Sequence, residues 1–498
     1  MNLREKHTMG DKRNDTAKHF HPLEESVLSL AAGKLHQVGA PEAALANKAV
    51  VADQPASPPE MRPRADMPPE KLKSISHTIN ECIRYISKHV IGREQTVLQA
   101  FIALLTGEHQ LLISRTGMAK SLLARQIFAC FEGATIFEKQ LTKDTMPENL
   151  FGAYDIEAMK KGKMIHNVEG SVVLSHFAFL DEIFDANDML LRSLLSLLNE
   201  KQLINGEQVV NATLHTAIAA ANYIRYTDVL EAVIDRFLYK SFIPENKDLY
   251  FQYSIDQIYQ QQFGTVAVPQ RRLSLGELAY AKKVIQSNQI SVPGYVLFLK
   301  NYILKKYIEE TRTTHSDRKD FTISDRKSVK TQDTLRAVAF LDGREEVSEQ
   351  DLDSLHLAVC TLGREDEITR LEKITGAARN YFRQDRDILE NMFNAIDILN
   401  IIRSSENQEM LKSDTSFNLI RTRLQETARS ETSRFKEYFS RLKTKIMSLN
   451  RDTFLPETFE VLENISEVSM KGAGSRECRE LIVSFRQAVF EHKKYLQV

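Results

Sequence analysis

From Ser74 onward, apolar residues recur at helical spacing: Ile75, Ile79, Ile83, Ile86 and Val90 fall three or four apart and predict an amphipathic helix ending near Gly92. Val97 to Leu105 reads as a second apolar helix. The run Leu111-Leu112-Ile113 is too short for a helix and is cut off by Ser114-Arg115-Thr116-Gly117, which predicts a buried strand feeding a loop, with helix resuming at Lys120. Further apolar stretches around Ile136, from Phe177 to Leu180 and from Leu214 to Ala220 alternate with helical segments such as Asp188 to Leu198. That rhythm predicts an α/β fold, a mostly parallel sheet with helices on both faces. Between two short apolar arms, Asn205-Gly206 predicts a β-hairpin whose two turn residues both take positive φ.

The rhythm stops near residue 247. Residues 248–365 read as helical, and Ser348 and Asp351 are spaced to cap one of the helices. Residues 366–498 carry Ile396, Leu399 and Ile402, then Phe435, Tyr438, Phe439 and Leu442, at helical spacing, which predicts helical hairpins or a bundle that engages partners. Ahead of residue 73 there is no apolar period, and proline between Pro55 and Pro69 removes amide donors, so residues 1–72 are expected to form a disordered leader. His19-Phe20-His21 within it is read as tail composition. The expected organisation is thus leader 1–72, α/β core 73–247, helical domain 248–365 and helical C-terminal region 366–498.

Charge acts mainly by subtraction. With 66 Lys and Arg against 67 Asp and Glu, the 498-residue chain has a formal charge of -1 and no basic or aromatic-basic tract, which argues against a nucleic-acid motor. No apolar run approaches the roughly 18 residues of a membrane span, and the N-terminus lacks the apolar core of a secretory signal; the expected location is cytoplasmic. The four cysteines have no CxxC or Cys/His ligand spacing, as suits reduced thiols.

Candidate chemistry sits at the predicted strand ends. Ser114-Arg115-Thr116-Gly117-Met118-Ala119-Lys120-Ser121-Leu122 lies between strand and helix, where backbone amides face phosphates, Lys120 supplies a point charge and Ser121 can ligate Mg²⁺. The phosphate-loop pattern is broken twice, by Ser114 and Ala119, and alone the motif also fits an incidental loop with a solvated lysine. Phe177 to Leu180 ends in Asp181-Glu182, placed to hold the metal shell and to polarise water, or simply a strand ending in solvated acids. Asn222 closes another small-residue strand, suited to orienting that water or to forming a turn. Arg236 follows Asp235, and Arg326 follows a predicted N-cap, Ser324, so it opposes the helix dipole and calls for an anion.

The order of these elements resembles the Walker A, Walker B, sensor 1, arginine finger and sensor 2 positions of AAA+ ATPases. The Asn205-Gly206 hairpin, Pro147-Glu148-Asn149-Leu150-Phe151-Gly152, Asp235-Arg236-Phe237 and the helical opening at Val347 to Asp351 look like MoxR proteins. Leu105-Thr106-Gly107-Glu108, Ala119 to Leu122, Leu180 to Ile183 and Leu198-Asn199-Glu200 are similar to the RavA-like branch. The resemblance covers about residues 74–365. It implies an AAA+ core with a helical lid, ATP and Mg²⁺ as ligands, and metal held by Ser121 and Asp181. In the mechanism so implied, Glu182 activates water, Asn222 positions it, Arg326 reads the γ-phosphate from the lid and Arg236 reaches the neighbouring subunit in a hexameric ring. A protein client is implied, possible partners including a von Willebrand factor A domain protein. The family usually has Gly-Pro-Pro-Gly where this chain has Ser114 to Gly117, and a rival reading is a nucleotide-regulated scaffold with little hydrolysis.

Overall fold

A computed structural model of the chain describes residues 69–206, 208–224, 228–262, 269–287, 289–314, 321–404, 414–427 and 454–496. The leader up to residue 68, with His19, Phe20 and His21, and the helical stretch expected around Phe435, Tyr438, Phe439 and Leu442 lie outside the described residues. Among the described residues the chain divides into two compact units, one up to residue 390 and one from residue 391 onward.

In the larger unit, α1 (Pro69–His89) takes in residues 69–72 of the stretch assigned to the leader. Proline is at home in a first helical turn, where its missing amide has no intrahelical partner. Ile75, Ile79, Cys82 and Ile86 form its buried stripe, and α2 (Glu94–Thr106) is buried along most of its length. Then come β1 (Gln110–Ile113), α3 (Lys120–Phe128), β2 (Ile136–Gln140), β3 (Phe177–Asp181), α4 (Asp188–Glu200), β4 (Thr216–Ala221), α5 (Asp228–Arg236) and β5 (Tyr239–Phe242). The five strands are parallel, in the order β2-β3-β4-β1-β5. Every residue of β1 and β4 is buried, as expected of central strands covered on both faces, whereas β2 at the edge alternates with solvent. Strand order has a direct consequence for chemistry: the carboxyl end of β4 lies between those of β3 and β1.

The hairpin forms, one residue displaced from expectation. Asn205 pairs with Gln208, so Asn205 stays in its arm and donates to the Met164 carbonyl at 3.4 Å, while Gly206 takes φ +58°. Glycine takes the position that needs positive φ, which leaves the Asn side chain available for that bond. Upstream, Gly152 has φ +96°, and a Cβ there would stand 1.8 Å from the Asn167 carbonyl oxygen. Gly152→Ala should therefore lower unfolding free energy by about 3 kcal/mol or more, as read by denaturant titration; a loss under about 1 kcal/mol would mean that the 152–167 contact yields easily.

Helices α6 (Leu249–Gln262), α7 (Leu275–Gln286), α8 (Gly294–Thr314), α9 (Asp325–Leu341) and α10 (Glu365–Phe382) follow. The segment is not wholly helical, since Leu273–Ser274 pairs in parallel with Phe131–Glu132 of the core. Ser348 and Asp351 form the expected capping box, on a 3₁₀ turn (Glu349–Leu355), with Asp351 also held by Arg344 at 2.6 Å. Glu365, where the helical domain is expected to end, opens α10, which packs back on α8 through Phe382 against Phe298 and Tyr302, at ring separations of 5.1 and 4.8 Å. Aromatic contacts between helices distant in sequence are invisible to a reading of local periodicity.

In the smaller unit, helices Phe454–Gly472 and Arg476–Leu496 form an antiparallel hairpin. Phe459, Leu462 and Ile465 of the first and Ile482, Phe485 and Val489 of the second are buried, and Lys493 pairs with Glu463 at 2.9 Å.

Candidate functional site

At the carboxyl edge of the sheet, β1 runs into the loop 114–119. Ser114 is buried and its amide donates to the Ala221 carbonyl at 3.1 Å, which ties the loop entry to β4. Its φ is not positive, so serine fits where the related pattern has glycine; the left-handed positions are Gly117 at +81° and Ala119 at +58°. Strain thus falls on Ala119, because a left-handed residue bearing a Cβ costs on the order of 1–2 kcal/mol. Arg115 turns outward and pairs with Glu245 at 3.0 Å, leaving only its backbone to the loop. Ala119 is the N-cap of α3 and provides no side-chain cap, so amides in the first turn, among them those of Ser121 and Leu122, lack a side-chain acceptor. Nothing lies within 4 Å of where a Cβ on Gly117 would stand. Uncapped amides, an open loop and a lysine form a donor set that fits phosphate oxygens.

Lys120 is buried and donates to Ser114 O at 2.9 Å and to Asn222 Oδ1 at 2.6 Å. Asn222 Nδ2 in turn donates to Glu182 Oε1 at 3.1 Å, and the Glu182 amide donates to Asp181 Oδ1 at 3.0 Å. Five residues from three strand ends therefore form one hydrogen-bonded chain, with Asn222 at its centre because β4 lies between β3 and β1. Burial lowers the Lys120 pKa, opposed by the charges of Asp181 and Glu182. Burial likewise raises that of Asp181, against the Glu182 amide and Lys120. Glu182 is itself left-handed, at φ +55°, turning its carboxylate back over the edge. Asp181 and the Ser121 hydroxyl are hard oxygen donors of the type Mg²⁺ takes.

The two arginines lie elsewhere. Phe237, next to Arg236, sets its ring edge-on to His109 at 6.2 Å, just ahead of β1, which puts Arg236 at the amino edge of the sheet. Its buried Nε has no acceptor among the described residues. Arg326 follows the N-cap expected of Ser324, whose hydroxyl accepts from the Lys327 amide at 3.3 Å. Contrary to expectation, Arg326 does not reach its own chain's phosphate loop: its guanidinium donates to Asn199 Oδ1 at 3.4 Å, at the end of α4 and the same amino edge. The reason is the seating of α9, which Lys330 fixes to Glu108 at 2.5 Å and Thr334 to the Tyr239 hydroxyl, at the start of β5, at 3.0 Å.

Sequence reasoning missed a charged cluster at this edge, although two of its segments, 105–108 and 198–200, were singled out. Lys201, left-handed at φ +54°, donates to His215 O at 3.1 Å, and Glu108 lies among Lys201, Lys282 and Lys330. His109 Nδ1 accepts from the Ala217 amide at 3.0 Å, so its Nε2 carries the proton and donates to Leu198 O at 3.1 Å. Burial, reinforced by Lys282 and opposed by Glu108, pulls Lys201 down to about 7. Between there and its ordinary value near 10.5 the unfolded chain binds the extra proton, so this lysine adds stability as pH rises from about 7 toward 10. Melting temperature should climb over that window less steeply in Lys201→Met than in the unaltered chain; equal slopes would show that Lys201 titrates normally.

A parallel sheet of this order, a lysine-bearing loop, an acid pair with an adjacent amide and a following helical lid define the AAA+ class. Residues 77–260 match the model of the MoxR domain in MoxR-vWA-beta-propeller ternary systems, and residues 297–374 match that of an AAA lid domain. The matched residues carry a MoxR-type AAA+ ATPase domain and an AAA lid. It is 26% identical over 344 residues to an uncharacterized protein of Methanocaldococcus jannaschii, covering 67% of this chain and 84% of that one. It is 24% identical over 308 residues to the chaperone MoxR1 of Mycobacterium tuberculosis, covering 58% and 77%. A solved Cytophaga hutchinsonii protein, provisionally described as an ATPase, superposes with a TM-score of 0.50 at 18% identity over 62% of this chain and 96% of that one, a likeness of fold. Among the described residues no helix is long and apolar enough to cross a membrane.

Proposed function

We propose that this chain hydrolyses ATP and uses the cycle to remodel a protein client, as a RavA-like member of its family. The observation that carries the reading is the chain from Lys120 through Asn222 to Glu182, with Asp181 beside it. On nucleotide binding, Lys120 would leave its loop carbonyls for the β- and γ-phosphates, and the α3 amides would take the remaining phosphate oxygens. Asn222, released from Lys120, would orient a water against Glu182, which accepts its proton as the water attacks phosphorus. Ser121 and Asp181 would hold Mg²⁺, which when bound supplies positive charge to the phosphate oxygens.

Because Arg236 and Arg326 both stand at the amino edge, we assign both to a neighbouring subunit's nucleotide, which makes activity depend on a ring, a hexamer by analogy. The buried Nε of Arg236, which has no acceptor among the described residues, supports this: an anion from outside the subunit would complete it. The named pairing of MoxR and vWA domains supports a von Willebrand factor A domain protein as partner, in the cytoplasm. Steady-state phosphate release tests the reading. Glu182→Gln should retain ATP binding and lose about 10²-fold or more in turnover, the usual scale for a general base. Equal rates in the two proteins would favour a nucleotide-regulated scaffold.

A further inference from the structure

Helix α6 begins beside the phosphate loop, since Glu245, four residues before it, pairs with Arg115 of that loop. Phe251, Ser254 and Ile258 are half-buried on one stripe, Phe251 lying over Gly92, where a Cβ would come within 2.8 Å of its ring. From residue 249 to 260 no side chain is buried. Leu249 is 81% exposed, Tyr250 79%, Tyr253 59%, Ile255 46% and Tyr259 66%. An apolar, aromatic helix that leaves this much carbon surface in water is a contact surface without its partner. Its chemistry narrows what covers it: α6 has no Lys or Arg, and Asp256 is its one charge. At the opposite edge of the sheet the exposed groups include Arg326 and the apolar Val329, with Arg236 half-buried. Tyrosine faces attract guanidinium groups, so the two edges are complementary.

We infer that α6 is the seat for the arginine-bearing edge of a second copy of this chain. The inference rests on the reading of Arg236 as acting on a neighbour's nucleotide: that edge must approach the phosphate loop, and α6 starts there. Tyr250, Tyr253 and Tyr259 would take guanidinium groups and Val329 from the second copy, burying surface that α6 leaves open within one subunit. The contact fixes how far the neighbour's arginines reach.

The test places p-benzoylphenylalanine at position 253 of the full-length chain, mixes it with ¹⁵N-labelled unaltered chain in the presence of ATP, and irradiates the assembly. Adducts between isotopes should map to residues 188–200, 228–240 or 321–336. Adducts only within one copy, adducts to other surfaces of the second copy, or a chain that stays monomeric would overturn the proposal. In parallel, the combined change Tyr250→Ala, Tyr253→Ala and Tyr259→Ala should raise the concentration needed for assembly at least tenfold while leaving the ATP affinity of the dissociated chain within twofold; unchanged assembly would also overturn it. Arg236 is tested apart from this, by subunit mixing. If crosslinks form as expected but mixing recovers no activity, the seat stands and the assignment of Arg236 fails.

Discussion

Arg236→Ala subunits should bind ATP as the unaltered chain does and release phosphate about 10³-fold more slowly, because an arginine supplied by a neighbour stabilises charge that develops only in the transition state. Such a loss corresponds to about 4 kcal/mol of barrier. Mixing makes the result specific. Glu182→Gln subunits keep Arg236, and Arg236→Ala subunits keep Glu182, so a mixed ring contains interfaces with both groups intact, whereas neither protein alone has one. Part of the activity should return on mixing, read as phosphate release at fixed total protein. If mass measurement shows co-assembly and the rate stays at that of the components, Arg236 acts within its own subunit or supports the fold beside Asp235.

A second large effect is expected at the lysine. Lys120→Met should weaken ATP binding by at least about 100-fold, since it removes the one side-chain charge that can follow the phosphates, and charge-assisted bonds to phosphate are about twice as strong as neutral ones. Stability should move little, within a few degrees of melting temperature, because burial already disfavours the charged amine and methionine matches its length. Binding lost with folding kept separates the site from a structural role. Unchanged affinity in a direct titration would remove Lys120 from the site altogether.

Much of the core was legible because each signal was local. Leu111 to Ile113 and Phe177 to Leu180 are uninterrupted apolar runs of strand length, as parallel strands buried on both faces require. The functional candidates stood at the ends of those runs, where a parallel sheet presents its ligands. What stayed hidden depends on contacts between distant segments. Nothing local to Asn222 says that it bonds both Lys120 and Glu182; that follows from β4 lying between β3 and β1. The turn signal at Asn205-Gly206 located the hairpin but not its register, which a cross-strand pairing sets. Ser114 and Ala119 both break the loop pattern, and nothing local to either says that the left-handed backbone falls on Ala119 alone of the two. The N-cap of Arg326's helix was correct, while its direction was set by Lys330 on Glu108 and by Thr334 on Tyr239, residues that no spacing rule connects.

Lys120 already holds two loop carbonyls and the Asn222 amide oxygen, so before any ligand arrives it serves as the loop's own placeholder cation. Nucleotide entry is then an exchange of partners rather than the ordering of a slack segment, and the entropic cost of shaping the loop has been met during folding. On the proposed reading the same exchange would free the Asn222 amide oxygen for a water while its Nδ2 still holds Glu182, so the arrival of the phosphates would itself prepare the groups assigned to act on them.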